Sequence, residues 1–210
     1  MPEKIKTEWL VQPSLPTEVD KNFESYPKIF RQILFNRGFN TVNEAESFLR
    51  ADNPIYDPFL LKGMDKAGDL ISKSITKKKK IIIFGDYDVD GVTASALLVQ
   101  VLQKYKADVE AFIPNRSEQG YGLSMKALKE ALLRKPGLII SVDCGVRSVK
   151  EVEQARKSGV DVIITDHHQP HAVIPRANAV ICPRQPDDMY PFKELAGVGI
   201  AYQVAQGLLQ

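Results

Sequence analysis

From Met64 onward, short apolar runs closed by polar or acidic residues alternate with amphipathic stretches. Ile81–Phe84, Leu138–Val142 and Val160–Thr165 are rich in β-branched residues and too short for buried helices, so each reads as a buried strand. Val109, Ala111 and Ile113 alternate as a further strand ending at Pro114, and Ala177–Cys182 adds a last one. The intervening segments carry the helical period. Met64, Ala67, Ile71 and Ile75 share one face, and Val92–Tyr105 reads as a largely buried helix. Ser124 can cap a helix whose Met125, Leu128 and Leu132 face one way. Ser148 and Glu151 fit a capping box for a helix closed by Gly159, and Leu195–Gln210 begins a final helix. Strand-helix alternation of this kind predicts an α/β fold with a mainly parallel, doubly wound sheet over residues 63–210.

Residues 1–62 have a different character and predict a small N-terminal helical appendage. Trp9–Glu18 carries two prolines without periodicity and reads as an ordered arm or loop. Ile29, Phe30, Ile33 and Leu34 form a helical stripe ended by Gly38. Thr41 and Glu44 match a capping box ahead of Ala45, Phe48 and Leu49. Pro54–Pro58 separates this pair from the next helix. At the other end, no cap or turn follows the last helix, so the sheet domain is expected to be C-terminally incomplete, a fragment of a longer protein.

Composition constrains the picture only loosely. With 210 residues, 44% apolar and 26% charged, the chain matches a soluble globular protein of one domain plus an appendage. A net charge of +2 argues neither for nor against a nucleic-acid partner. No apolar stretch is long enough to span a bilayer, and the N-terminus lacks the apolar centre of a signal peptide. The 2 cysteines, Cys144 and Cys182, form no disulfide framework, so a cytoplasmic location without membrane contact is expected.

The chemistry concentrates where strands end. Asp86, Asp88 and Asp90 follow the first apolar run, Asp143 follows LIISV, and Asp166-His167-His168 follows VDVIIT. Carboxyl ends of parallel strands share one edge, the usual ligand position of an open α/β sheet. A single such aspartate could merely cap the next helix. Ser148 is the better cap for its own helix, which leaves Asp143 without a structural job. Three strands ending alike, one with paired histidines, favour a polyvalent metal site. Oxygen-rich ligands with one or two imidazoles suit Mn²⁺ or Mg²⁺ better than structural zinc. Two such ions can activate a water and stabilise charge developing on a phosphoryl group. Beside the same edge, Arg116, Tyr121 and Gly122 lie in a flexible loop that is either ordinary surface or a phosphate clamp, with the tyrosine able to stack on a base.

Other features carry less. Lys77–Lys80 reads as a solvated turn. Gly197-Val198-Gly199 resembles part of a dinucleotide fingerprint without its third glycine. Cys144 reads as a packing thiol, and Arg147 and His171 as contact candidates only. The DxDxDG pattern also opens calcium-binding EF-hand loops, but position twelve would be Leu97, which offers no carboxylate. A strand followed by DVDGV also fits haloacid-dehalogenase-type phosphatases, with Asp88 as covalent nucleophile.

Taken together, IFGDYDVDGVTASALL, PNRSEQGYGL, SVDCGV, ITDHHQP and LAGVGIAYQVAQ resemble the DHH phosphoesterase superfamily, in order and at matching spacing. Within it, the likeness is to single-strand-specific 5′→3′ DNA exonucleases of repair and recombination, and runs from about Asn36 to the end. The resemblance implies two metal ions, Mn²⁺ or Mg²⁺, held by Asp88, Asp90, Asp143 and His167, with Asp143 between them. It implies that His168 and Arg116 touch the scissile phosphate and that Asp86 and Asp166 orient the ligands. Single-stranded DNA would be the substrate, with a helicase or single-strand-binding protein as candidate partners. Phe84 stands where some branches carry another histidine. The family also carries a further metal-binding aspartate downstream, so the 210 residues are expected to cut poorly alone. A phosphodiesterase for short oligonucleotides or cyclic dinucleotides, the dehalogenase-like phosphatase and a non-catalytic scaffold remain as alternatives.

Overall fold

A computed structural model describes residues 10–51, 54–120 and 122–210. The chain forms two compact units, Met1–Ile55 and Tyr56–Gln210. The boundary expected after residue 62 falls inside the second unit. There, Tyr56 packs edge-on against Tyr190 at 5.6 Å, and Leu61 is buried in the core.

Among its described residues, the first unit holds helices α1 (Thr17–Asn22), α2 (Lys28–Asn36) and α3 (Val42–Arg50) around Phe23, Leu34 and Ala45. The capping box at Thr41 and Glu44 forms as expected. Helix α1 was not expected. It begins after Pro16, and the reading of Trp9–Glu18 as a loop holds only up to that proline, with Trp9 itself outside the described residues. The predicted stripe of α2 is only partly inward, because Ile29 is 78% exposed while Leu34 is buried.

In the second unit, α4 (Met64–Thr76) precedes β1 (Ile81–Gly85), α5 (Val89–Lys104) and β2 (Val109–Phe112). Then follow α6 (Arg116–Gln119), α7 (Met125–Leu133), β3 (Leu138–Val142), α8 (Val149–Lys157), β4 (Asp161–Thr165), β5 (Ala179–Ile181) and α9 (Gly197–Leu209). All strand pairs are parallel, in the order β2-β1-β3-β4-β5. The expected doubly wound sheet is therefore present. Its chain order reverses between β1 and β3, which opens a crevice at their carboxyl ends.

Both faces of the sheet are covered, which is why its strands read as unbroken apolar runs rather than alternating ones. Ile81, Ile83 and Ile140 pack with α4, α5 and α9, while Ile82, Phe84 and Ile139 pack with α7 and α8. Ile81 through Phe84 are each 0% exposed, a burial worth about 1.5–3 kcal/mol per side chain. This rigid floor fixes the strand ends that carry the acids. Lys79 and Lys80 pair with Asp161 and Glu110, so the lysine turn is anchored rather than only solvated.

Candidate metal centre

The loop after β1 is short because α5 starts at Val89, one turn earlier than the apolar pattern suggested. Asp88 is its N-cap, with Oδ1 accepting from the backbone N–H groups of Asp90 and Gly91 at 3.0 Å each. Gly91 allows this tight return. A β-carbon there would stand 2.5 Å from the Asp86 carbonyl oxygen and 2.7 Å from its nitrogen. Asp86, directly after β1, is fully buried and accepts from the Tyr87 N–H at 2.8 Å.

Asp143 follows β3 with φ +60°, in the left-handed region that an aspartate tolerates better than most residues. It is 1% exposed, and its Oδ1 has no hydrogen-bond partner among the described residues. Nε2 of His167 lies 3.1 Å from that oxygen without hydrogen-bond alignment. Burial, together with the charges of Asp90 and Asp88, pushes the Asp143 carboxyl up to about 8.

After β4, Asp166 orients its neighbours. Its Oδ2 accepts from the Val146 N–H at 2.9 Å, and its Oδ1 from the His168 N–H at 3.0 Å and pairs with His168 Nδ1 at 2.7 Å. Burial alone would raise this carboxyl, but the bonds from the His168 ring and the two amides hold it below the usual range. The hydrogen bond to Asp166 in turn raises His168. A carboxylate on Nδ1 leaves Nε2 as the atom the ring can present to a ligand.

Ligand atoms of Asp86, Asp88 and Asp143 lie within 4.8 Å of one another, and so do those of Asp143, His167 and His168. Asp143 belongs to both groups. A buried carboxyl with an orphaned oxygen, on a residue common to two clusters of oxygen and imidazole donors, fits divalent cations of the manganese or magnesium type. Asp90, the fourth expected ligand, stands beside these groups and is held by backbone amides of α9. Its oxygens accept from the Gly197 and Val198 amides at 2.6 Å each, and Oδ2 lies 3.9 Å from His167 Nε2.

The expected clamp is partly placed. Gly122 lines a cavity of about 220 Å³ together with Asp166, His168 and Arg147, at the rim of the same edge. Arg116 opens α6, and Tyr121 lies outside the described residues. A larger groove, about 600 Å³, runs between α8 and Val173–Arg176, and none of the site residues lines it. The Ser148–Glu151 capping box does not form. Ser148 occupies the N-cap position but its side chain makes no cap bond. The thiol of Cys144 is buried, and burial pushes it well up, as a packing thiol requires. Gly197-Val198-Gly199 is the first turn of α9 and serves Asp90 rather than a dinucleotide, a role that no local motif announces.

A parallel sheet reversing between β1 and β3, with acids and histidines from three strand ends beside the reversal, defines an α/β protein with a metal-binding type of site. The profile of the DHH family, N-terminal domain, matches residues 80–210, and the chain belongs to that family. It is 46% identical over 178 residues to the single-stranded-DNA-specific exonuclease RecJ of Bacillus subtilis, covering 84% of this chain and 23% of that protein. It is 35% identical over 195 residues to the RecJ of Escherichia coli, covering 91% and 33%. RecJ of Thermus thermophilus in complex with Mn²⁺ superimposes with a TM-score of 0.66 at 32% identity, covering 93% of this chain and 28% of that one. The chain thus spans between 23% and 33% of the length of these two curated relatives. Membership of this family removes the dehalogenase-like alternative. No helix among the described residues is long and apolar enough to cross a membrane.

Proposed function

We propose that this chain carries the metal centre of a single-strand-specific DNA exonuclease that hydrolyses phosphodiesters from the 5′ end. The observation that supports it most is Asp143, a buried carboxylate in a left-handed backbone conformation whose Oδ1 has no hydrogen-bond donor among the described residues. Such a group costs stability unless a cation takes it up. Asp88, Asp90, Asp143 and His167 would hold Mn²⁺ or Mg²⁺. When bound, the ions supply charge neutralisation at a phosphoryl oxygen and lower the pKa of a water.

The chain's own groups do the rest. Asp86, behind Gly91, shapes the loop that presents Asp88. Asp166 holds His168 through Nδ1, so Nε2 faces the phosphate and can donate to it once protonated. Arg116 adds a planar cation for a phosphate oxygen, and Gly122, at φ +58°, turns the loop beside His168. Single-stranded DNA is the substrate, and a helicase or single-strand-binding protein that delivers such strands suits as a partner.

Cleavage of 5′-labelled single-stranded and duplex DNA by the full-length protein with Mn²⁺ tests this reading. Mononucleotide release from the single strand, lost by more than about 100-fold in Asp143→Ala, is expected. Preference for dinucleotides over long strands supports a short-oligonucleotide phosphodiesterase instead, and unchanged hydrolysis by Asp143→Ala overturns the metal mechanism.

A further inference from the structure

The first turn of α9 meets the metal centre at two separate points. Its Gly197 and Val198 amides donate to the two oxygens of Asp90 at 2.6 Å each. These are charge-assisted bonds at the positive end of a helix, so Asp90 is held in one orientation. A carboxylate offers about four lone-pair sites, so both oxygens keep capacity for a cation. Independently, a β-carbon at Gly197 would stand 2.6 Å from Asp143 Oδ1 and 2.7 Å from its Cβ. Asp143 cannot easily retreat, being 1% exposed and already at φ +60°.

Helix α9 cannot yield either. Ile200, Ala201 and Val204 lie in one core with Ala94, Leu98 and Leu102 of α5, the helix that starts after Asp88. Glycine is a poor choice for a helix's first turn on propensity alone. Gly199, two residues on, shows the contrast, since a β-carbon there meets only the Leu195 side chain, at 3.2 Å. Gly197 is therefore set by the site and Gly199 is not.

We infer that the start of α9 is a positioning element of the metal centre, in which two amides aim Asp90 and the bare Gly197 makes room for Asp143. This rests on the proposed metal site. Calorimetric titration of the full chain with MnCl₂ tests it, with far-UV circular dichroism and thermal unfolding in EDTA run alongside. Gly197→Ala and Val198→Pro should each weaken Mn²⁺ binding by about 10–100-fold, while Gly199→Ala stays within about twofold of wild type. Proline at the second helical position deletes one amide that the helix itself does not use. Val198→Pro also takes a charge-assisted bond from Asp90, so its metal-free unfolding temperature should fall while its far-UV spectrum stays native, and it decides the matter alone if Gly197→Ala fails to fold. Wild type that binds no Mn²⁺ overturns the metal-centre reading and the inference with it. Wild-type binding matched by Val198→Pro overturns the inference alone.

Discussion

Replacing Gly91 by alanine perturbs the site through one methyl group. The added carbon would meet the Asp86 carbonyl oxygen at 2.5 Å, its nitrogen at 2.7 Å and its carbonyl carbon at 2.8 Å. All three are backbone atoms at the end of β1, whose five residues are buried, so no flexible side chain can move aside. Ordinary contact begins near 3.4 Å, so the gap must widen by 3.4 − 2.5, or about 0.9 Å. Overpacking of this kind costs about 1–3 kcal/mol, against a helix-propensity gain of about 1 kcal/mol from removing glycine. The shift also displaces Asp88, which takes its cap bonds from Asp90 and Gly91. Gly68 provides the control, because it lies inside α4 with nothing within 4 Å of its would-be β-carbon. Urea unfolding monitored by circular dichroism should show Gly91→Ala less stable by up to about 2 kcal/mol and Gly68→Ala more stable by about 0.5–1 kcal/mol. Mn²⁺ affinity should fall only in the first. A Gly91→Ala protein at least as stable as wild type would refute the steric argument.

Two further outcomes follow from the titrating groups. Asp166→Asn removes the charge that raises His168, so the His168 NMR titration midpoint should move to lower pH, and an unmoved midpoint would mean that Asp166 does not orient the ring. Asp143 has a folded-state pKa of about 8 against 3.8 for the ordinary carboxyl, so between these values the folded metal-free chain holds a proton that the unfolded chain has lost. Metal-free stability should then fall as pH rises across that window, with Mn²⁺ counteracting the fall. Thermal unfolding from pH 5 to 8, with EDTA or Mn²⁺, measures both arms, and a flat metal-free profile would contradict the burial of that charge.

The sheet was legible because strands covered on both faces carry uninterrupted β-branched runs, and its acidic edge because β1, β3 and β4 are each followed directly by an aspartate. Less was legible where tertiary partners decide. Asp90 pairs with amides 107 and 108 residues away, which no local spacing can announce. The Ser148–Glu151 box has the right residues but the wrong backbone, with Ser148 at ψ 60° instead of extended. Ser148 therefore does not free Asp143 by taking over the cap, although Asp143 does not cap α8 either. In the first unit, Pro16 marked a helix start that the lack of periodicity in so short a segment concealed.

The proposed cation-binding centre joins the ends of β1, β3 and β4 through Asp143. Diffraction from crystals grown with Mn²⁺, recorded at the manganese absorption edge, tests it most directly. Anomalous peaks within coordination distance of Asp143, flanked by Asp88 on one side and His167 on the other, are the predicted result. An Asp143 side chain with no peak beside it, or Mn²⁺ found only elsewhere on the chain, would rule out that centre.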